Sequence, residues 1–132
     1  MRLSRKTQGF TLVEIMIVVA IIALLAAIAI PNLLRAKVAA NDALAKATIR
    51  SVSTASEAYA TANNGSYPTA IASLTSATPP YLNANYCGST ISGYVYTCTF
   101  TAATYTVAAT PSTVGSSGTT TYTVATGGVL TP

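Results

Sequence analysis

Side chains able to do acid, base or nucleophilic chemistry are scarce in this chain. Its carboxylates are Glu14, Asp42 and Glu57, and it has two cysteines and no histidine. Histidine-based acid–base chemistry and catalytic triads are therefore excluded. Carboxylates so scattered along the sequence do not predict a paired-acid site, and two cysteines without histidine do not make a zinc site. We expect a protein that is not an enzyme and that holds no cofactor or metal.

Glu14 is the most informative of the three carboxylates because an apolar run follows it. The 20 residues between Glu14 and Arg35 carry no charge. A carboxylate placed in lipid or protein surroundings needs a positive partner, because its desolvation is costly. Glu14 therefore indicates a helix that must find a counter-charge when it is buried.

The segment that contains Glu14, residues 10–34, is almost wholly apolar. Twenty helical residues span about 30 Å, the thickness of the hydrocarbon core of a bilayer. The basic residues of the segment 1–9 favour a cytoplasmic N-terminus and an exported C-terminus. An ordinary secretory signal cut near Ala27–Ala29 is the alternative. Glu14 favours retention of the apolar segment, because a discarded signal gains nothing from a carboxylate.

Residues 36–63 have the pattern of an amphipathic helix. Apolar residues recur every seven positions, at Val38, Ala45, Val52 and Tyr59. Asp42, Lys46 and Arg50 lie four residues apart on another face, which predicts i,i+4 pairing between them. Asn63–Gly65 then supplies residue types that end helices.

Pro31 lies inside the long helix that these two segments predict. A proline removes one helical hydrogen bond and its ring crowds the preceding turn. We expect a helix kink at Pro31.

Residues 64–132 form a head rich in serine and threonine. Alternation of period two predicts strands at Gly93–Thr101, Thr104–Thr110 and Thr119–Ala125, and Val129–Leu130 begins a short further pairing. A short helix is expected around Ala70–Leu74. The fold class is thus α+β: a long N-terminal helix, transmembrane in its first half, with three or four antiparallel strands packed on its second half. The threonines suit a solvent-facing sheet surface, and O-linked sugar on some of them is the alternative.

The sequence of this head contains no charged side chain. No Asp, Glu, Lys, Arg or His follows Glu57, and residues 1–9 hold three of the net four positive charges. Because phosphate neutralisation needs Lys or Arg, we expect no nucleic acid to bind through a charged surface of the C-terminal half.

Cys87 and Cys98 are the two cysteines. An even count in an exported chain predicts one disulfide, which would stabilise by about 2–3 kcal/mol on the chain-entropy model. Two buried free thiols are the alternative.

The stretch Gly9–Glu14 resembles the processing signature of type IV prepilins and of the pseudopilins of type II secretion. The similarity continues through the apolar run, Pro31 and Asn64–Pro68, and it covers residues 1–68. Beyond residue 68 the chain resembles this family only in plan, as a small sheet after a long helix. The resemblance implies a type IV pilin-like fold.

The same resemblance implies roles for individual residues. A prepilin peptidase would cleave between Gly9 and Phe10 and methylate the new amino group of Phe10. Glu14 would pair with the Phe10 amine of a neighbouring subunit. Pairing within one subunit is the alternative, because positions 10 and 14 are one helical turn apart. In the filament, Pro31 would mark a loosened stretch of helix.

The implied organisation has four parts: a cleaved leader at 1–9, a membrane and filament-core helix at 10–35, its amphipathic continuation at 36–63, and the β head at 64–132. The implied function is a structural subunit of a type IV pilus-like helical filament, assembled from copies of itself by pilus or secretion machinery. It would lie in the bacterial inner membrane before assembly and outside the cell afterwards. A type II secretion pseudopilin or a minor tip subunit that binds a target are the alternatives. Major pseudopilins often carry calcium in the head, and a head without Asp or Glu does not predict such a site.

Overall fold

The structure, a computed structural model, describes residues 9–132 and divides the chain into two compact units. One unit ends at Arg35 and the other comprises Ala36–Pro132. The leader predicted at 1–9 lies, apart from Gly9, outside the described residues.

Helix α1 runs from Leu12 to Ala62 without a break. Pro31 lies within it and does not end it, so the kink at this position stays a prediction. The helix ends where the sequence predicts. The Gly65 amide donates to the Ala60 carbonyl at 2.8 Å, and Asn64 and Gly65 adopt φ of 54° and 87°. Left-handed residues after the last turn are a common helix stop because they redirect the chain while satisfying its last carbonyls.

The first part of α1 is long and apolar enough to cross a membrane. An 18-residue window has a mean hydropathy of 3.0, and none of it is buried within the structure. Its large apolar side chains are instead exposed to solvent. Leu12 is 75% exposed and Leu33 70%.

The hydrophobic core lies in the unit Ala36–Pro132, between the second part of α1 and the sheet. The predicted heptad positions Ala45 and Val52 are fully buried there, as is Ile49 between them. Val38 and Tyr59 are half-buried. The sheet supplies most of the other core side chains: Tyr94, Tyr96, Tyr105, Val107, Ala109, Tyr122 and Val124.

The sheet has five antiparallel strands in the order of the chain. They are β1 (Thr90–Ile91), β2 (Tyr94–Phe100), β3 (Tyr105–Pro111), β4 (Tyr122–Ala125) and β5 (Leu130–Thr131). The α+β class is confirmed, with one strand more than expected. β1 was missed because two residues are too short to show alternation. A short helix α2 covers Ala72–Thr75.

Strand β4 begins later than the sequence predicts. The alternation suggested a start at Thr119, whereas the observed strand starts at Tyr122. The Thr119 amide and hydroxyl bind Asp42 of α1 instead. A contact between helix and loop therefore replaces the first residues of the predicted strand.

Cys87 and Cys98 form the disulfide that the cysteine count predicts, with their Cα atoms 5.5 Å apart. The alternative of two free thiols is excluded. Cys98 lies in β2, and Cys87 lies in the loop that leads to β1. The bond thus ties that loop to the sheet.

Candidate functional site

The start of α1 is organised around Glu14 and Thr11. The Thr11 amide and hydroxyl donate to Oε2 of Glu14 at 2.7 and 2.8 Å, and the Glu14 amide donates to the Thr11 hydroxyl at 3.2 Å. This reciprocal arrangement is a capping box, in which side chains satisfy two amides that the first helical turn leaves unpaired. Sequence reasoning missed it, although the pattern Thr-x-x-Glu before an apolar run is its known signal.

The capping box leaves part of the Glu14 carboxylate available. All the hydrogen bonds to this group that the structure describes end on Oε2. Phe10 is still joined to Gly9 in this chain, so its nitrogen is an amide and carries no charge. The pairing of Glu14 with a Phe10 amine therefore stays a prediction, as do cleavage after Gly9 and methylation of Phe10.

Large apolar side chains surround Glu14 along the first part of α1. Between Leu12 and Leu34 they are 51–75% exposed. Soluble proteins rarely expose a continuous apolar surface of this size, because its hydration is unfavourable. The segment therefore needs lipid or other protein chains to cover it.

The second carboxylate, Asp42, joins α1 to the loop before β4. Its Oδ1 accepts hydrogen bonds from the Tyr94 hydroxyl at 2.7 Å and the Thr119 amide at 3.1 Å, and its Oδ2 accepts from the Thr119 hydroxyl. We call Asp42, Tyr94 and Thr119 the Asp42 cluster. It fixes the loop Ser112–Thr121 to the helix, with help from Asn41, whose amide donates to the Ser117 carbonyl at 2.8 Å.

The third carboxylate, Glu57, joins α1 to three other parts of the head. Oε1 accepts from the Tyr105 hydroxyl at 2.9 Å and from the Gly127 amide at 2.8 Å, while Oε2 accepts from the Tyr67 hydroxyl at 3.0 Å. We call Glu57, Tyr67, Tyr105 and Gly127 the Glu57 cluster. Ser53 adds a hydroxyl 2.8 Å from that of Tyr105.

These clusters correct the local pairing that the sequence suggested. Asp42 was expected to pair along the helix with Lys46, but the hydrogen bonds to its oxygens come from the head. The Lys46 ammonium lies 4.7 Å from the centre of the Tyr122 ring, a cation–π contact. The positive charge of Lys46 still favours the ionised form of Asp42 and contributes to the lowered pKa of that carboxyl.

Stability of the head should depend on pH at the acidic end. Burial acts to raise the pKa of Asp42 and of Glu57, but the hydrogen bonds from Thr119, Tyr94, Tyr105 and Gly127 outweigh it and hold both pKa values below their ordinary range. A carboxyl with a lowered folded pKa stabilises above its unfolded pKa, about 4, and loses this contribution as the pH falls further. The urea midpoint of the detergent-solubilised chain should therefore fall below about pH 4. A midpoint unchanged from pH 7 to pH 3 would contradict this role.

Stability should also fall at the alkaline end. The pKa of Tyr94 is raised, first by burial and then by the hydrogen bond to Asp42. Burial and the hydrogen bond to Glu57 raise the pKa of Tyr105 to about 12. A group with a raised folded pKa stabilises fully below its unfolded pKa, about 10 for tyrosine, and the contribution disappears as the pH rises through the folded value. Tyrosine circular dichroism should show the urea midpoint falling above about pH 10.

Gly118 is needed for the Asp42 cluster because the Tyr94 ring lies directly against it. A Cβ atom at this position would overlap the Tyr94 hydroxyl and ring. Gly118→Ala should lower the free energy of unfolding by about 1–3 kcal/mol through overpacking. Gly115→Ala separates the two causes of a loss in stability, because that site has open space but φ of +83°, so the variant adds backbone strain without overpacking. Equal urea midpoints for wild type and Gly118→Ala would refute the close contact.

Comparison with known proteins bears on the N-terminal part of the chain. Residues 4–30 match the family model of the prokaryotic N-terminal methylation motif. A major component of the type IV wide pilus of Thermus thermophilus is 48% identical over 60 residues, covering 46% of each chain. The type IV major pilin of Myxococcus xanthus is 45% identical over 62 residues, covering 45% of this chain and 28% of that protein.

Core protein G of the type II secretion system of Escherichia coli is 41% identical over 90 residues, which cover 65% of this chain and 61% of that protein. The chain thus spans less than two thirds of the length of each of these relatives. No solved structure matches it. The resemblance to type IV pilins and type II secretion pseudopilins is confirmed, and the stretch that matches the family model includes Gly9, Phe10 and Glu14.

Proposed function

We propose that this chain, which carries the N-terminal methylation motif and has type IV pilins among its relatives, is a structural subunit of a type IV pilus-like extracellular filament. One observation carries the proposal. The first part of α1 exposes its apolar side chains and holds Glu14 at its start. Copies of such a segment can cover one another, and burial of this apolar surface provides the driving force for assembly.

Processing of the N-terminus completes the proposed subunit. A prepilin peptidase cleaves between Gly9 and Phe10 and methylates the Phe10 amine. The mature subunit then rests in the inner membrane through residues 10–35, with residues 36–63 and the head 64–132 outside. Pilus machinery transfers it from lipid to the filament.

Glu14 is proposed to pair with the Phe10 amine of a neighbouring subunit. In the mature chain this amine is the one positive charge before Arg35, and Glu14 is buried once the filament forms. The availability of Oε1 supports this proposal, because the carboxylate can keep its bonds to Thr11 through Oε2. In the filament, Pro31 is proposed to kink or loosen the helix, since it removes a helical hydrogen bond.

A type II secretion pseudopilin is the second candidate. The similarity to core protein G extends over 90 residues and covers 65% of this chain, a larger share than the similarity to either pilin covers. Electron microscopy of cells distinguishes the candidates. Long surface filaments that bind an antibody to the head support the pilin, whereas their absence in a strain with active type II secretion supports the pseudopilin.

Intact mass of the protein purified from its native host tests both candidates together. We expect a chain that begins at N-methylated Phe10. A chain that begins near Ile30 would lack the apolar segment and would refute assembly through it. The same spectrum tests for O-linked sugar, which would add mass beyond that of the sequence.

A further inference from the structure

An open groove lies between the second part of α1 and the segment before β1. Its volume is about 480 Å³, within the range of small-molecule sites. It is formed within the unit Ala36–Pro132, and we call it the Arg50 groove. The side chains that matter for binding are Arg50, Ser51, Thr54, Tyr81, Asn83 and Tyr86.

The Tyr81 ring provides a preformed flat surface in the groove. It is 36% exposed, and its other contacts hold it in place. The ring packs edge-on against Tyr59, with centroids 5.6 Å apart. The backbone amides of Tyr81 and Leu82 both donate to the Leu74 carbonyl, at 2.9 and 3.1 Å. A ring held in this way loses little conformational entropy when a ligand stacks on it.

The second tyrosine of the groove is also constrained. Tyr86 is half-buried and precedes Cys87, which is bonded to Cys98 of β2. Its carbonyl accepts a hydrogen bond from the Ser89 hydroxyl. Its side chain packs against the hydrophobic core. The groove therefore presents two aromatic rings beside polar groups.

Arg50 gives the groove an exposed positive charge. Glu57 lines a neighbouring cavity together with Arg50, but among the described residues its hydrogen bonds come from Tyr67, Tyr105 and Gly127. The unit Ala36–Pro132 has two carboxylates, Asp42 and Glu57. Both accept hydrogen bonds from the head. Asp42 accepts from Tyr94 and Thr119. Glu57 accepts from Tyr105 and Tyr67. An exposed guanidinium is suited to bind a carboxylate through two parallel hydrogen bonds.

We propose that the Arg50 groove binds an acidic sugar, a pyranose ring that carries a carboxylate. The apolar C–H face of the ring packs on Tyr81, as apolar groups do on aromatic faces. The carboxylate binds Arg50. The ring hydroxyls reach the hydrogen-bonding side chains of Thr54 and Asn83, which line the same groove.

A second copy of this chain matches the positive charge of the groove less well than an acidic sugar does. The sequence has no acidic side chain after Glu57, and Asp42 and Glu57 already accept hydrogen bonds within their own chain. The head of a neighbour therefore offers no side-chain carboxylate for Arg50. A soluble anion alone would use Arg50 but not the Tyr81 ring. An acidic sugar uses both.

The test is a titration of the full-length chain, ¹⁵N-labelled and in micelles of a detergent without sugar, with D-glucuronate. Methyl glucoside and acetate are titrated in parallel at equal ionic strength. We expect the amides of Tyr81 and Asn83 to shift and to saturate, with a dissociation constant on the order of 1 mM for so small a ligand. Methyl glucoside and acetate should each bind roughly tenfold more weakly.

Variants separate the contributions to binding. Arg50→Gln should weaken glucuronate binding roughly tenfold. Tyr81→Ala should weaken it roughly three- to tenfold, whereas Tyr81→Phe keeps the ring and should bind as wild type does. Lys37→Gln, which removes an exposed cation outside the groove, should have no effect. Acetate binding as tightly as glucuronate, or unchanged binding by Arg50→Gln, would overturn the proposal, and neither result depends on filament assembly.

Discussion

Glu14→Gln is expected to stop filament assembly while leaving export and processing intact. Glutamine can still bond to Thr11 in the capping box, so the helix start is preserved and the negative charge alone is lost. If Glu14 neutralises the Phe10 amine of a neighbour, the variant leaves that amine buried and unpaired, which costs several kcal/mol per subunit. The measurement is the amount of sheared filament per cell, compared with the amount of subunit in the membrane fraction.

Thr11→Ala is the matched control for this experiment. It removes the hydroxyl that bonds to Glu14 in the capping box and keeps the charge. The loss of a cap costs about 1 kcal/mol, so assembly should continue with modest weakening. If Thr11→Ala abolished filaments and Glu14→Gln did not, Glu14 would act as a helix cap and the proposed charge pair would be wrong.

Glu57→Ala is expected to lower the free energy of unfolding of the head by about 2–3 kcal/mol. The carboxylate accepts hydrogen bonds from Tyr105, Tyr67 and Gly127, which belong to three separate parts of the head. Without it, Ser53 is the partner that the buried Tyr105 hydroxyl keeps among the residues the structure describes. Urea unfolding followed by tyrosine circular dichroism measures the loss.

Two further variants identify the cause of that loss. Glu57→Gln keeps a hydrogen-bond acceptor but loses the charge, so its free energy of unfolding should lie between those of wild type and Glu57→Ala. Ser51→Ala removes an exposed helix hydroxyl that donates to the Ala47 carbonyl one turn away, and it should have little effect on the free energy of unfolding. The acid-side loss of stability should also be smaller in Glu57→Ala, because one of its two titrating groups is gone. If Glu57→Ala lost as much stability on acidification as wild type does, the pH dependence would come from Asp42 alone.

Local patterns in the sequence determined the elements of this protein. The apolar run after Glu14 predicted a helix able to span a membrane, and Asn63–Gly65 predicted its end. Alternation predicted β2 and β3 to within one residue at most boundaries, with Tyr94 and Tyr105 facing the core. These features are readable because helix and strand periods repeat within a few residues.

The tertiary structure alone decided which residues hold the head together. Asp42 meets Tyr94 at a sequence separation of 52 and Thr119 at 77, while Glu57 meets Gly127 at 70. Periodicity along α1 suggested only Lys46 as a partner for Asp42, since i,i+4 spacing describes neighbours on one helix. Which hydroxyl or amide reaches a carboxylate depends on how the sheet is placed against the helix, and that placement results from packing of the whole core rather than from any short stretch of sequence.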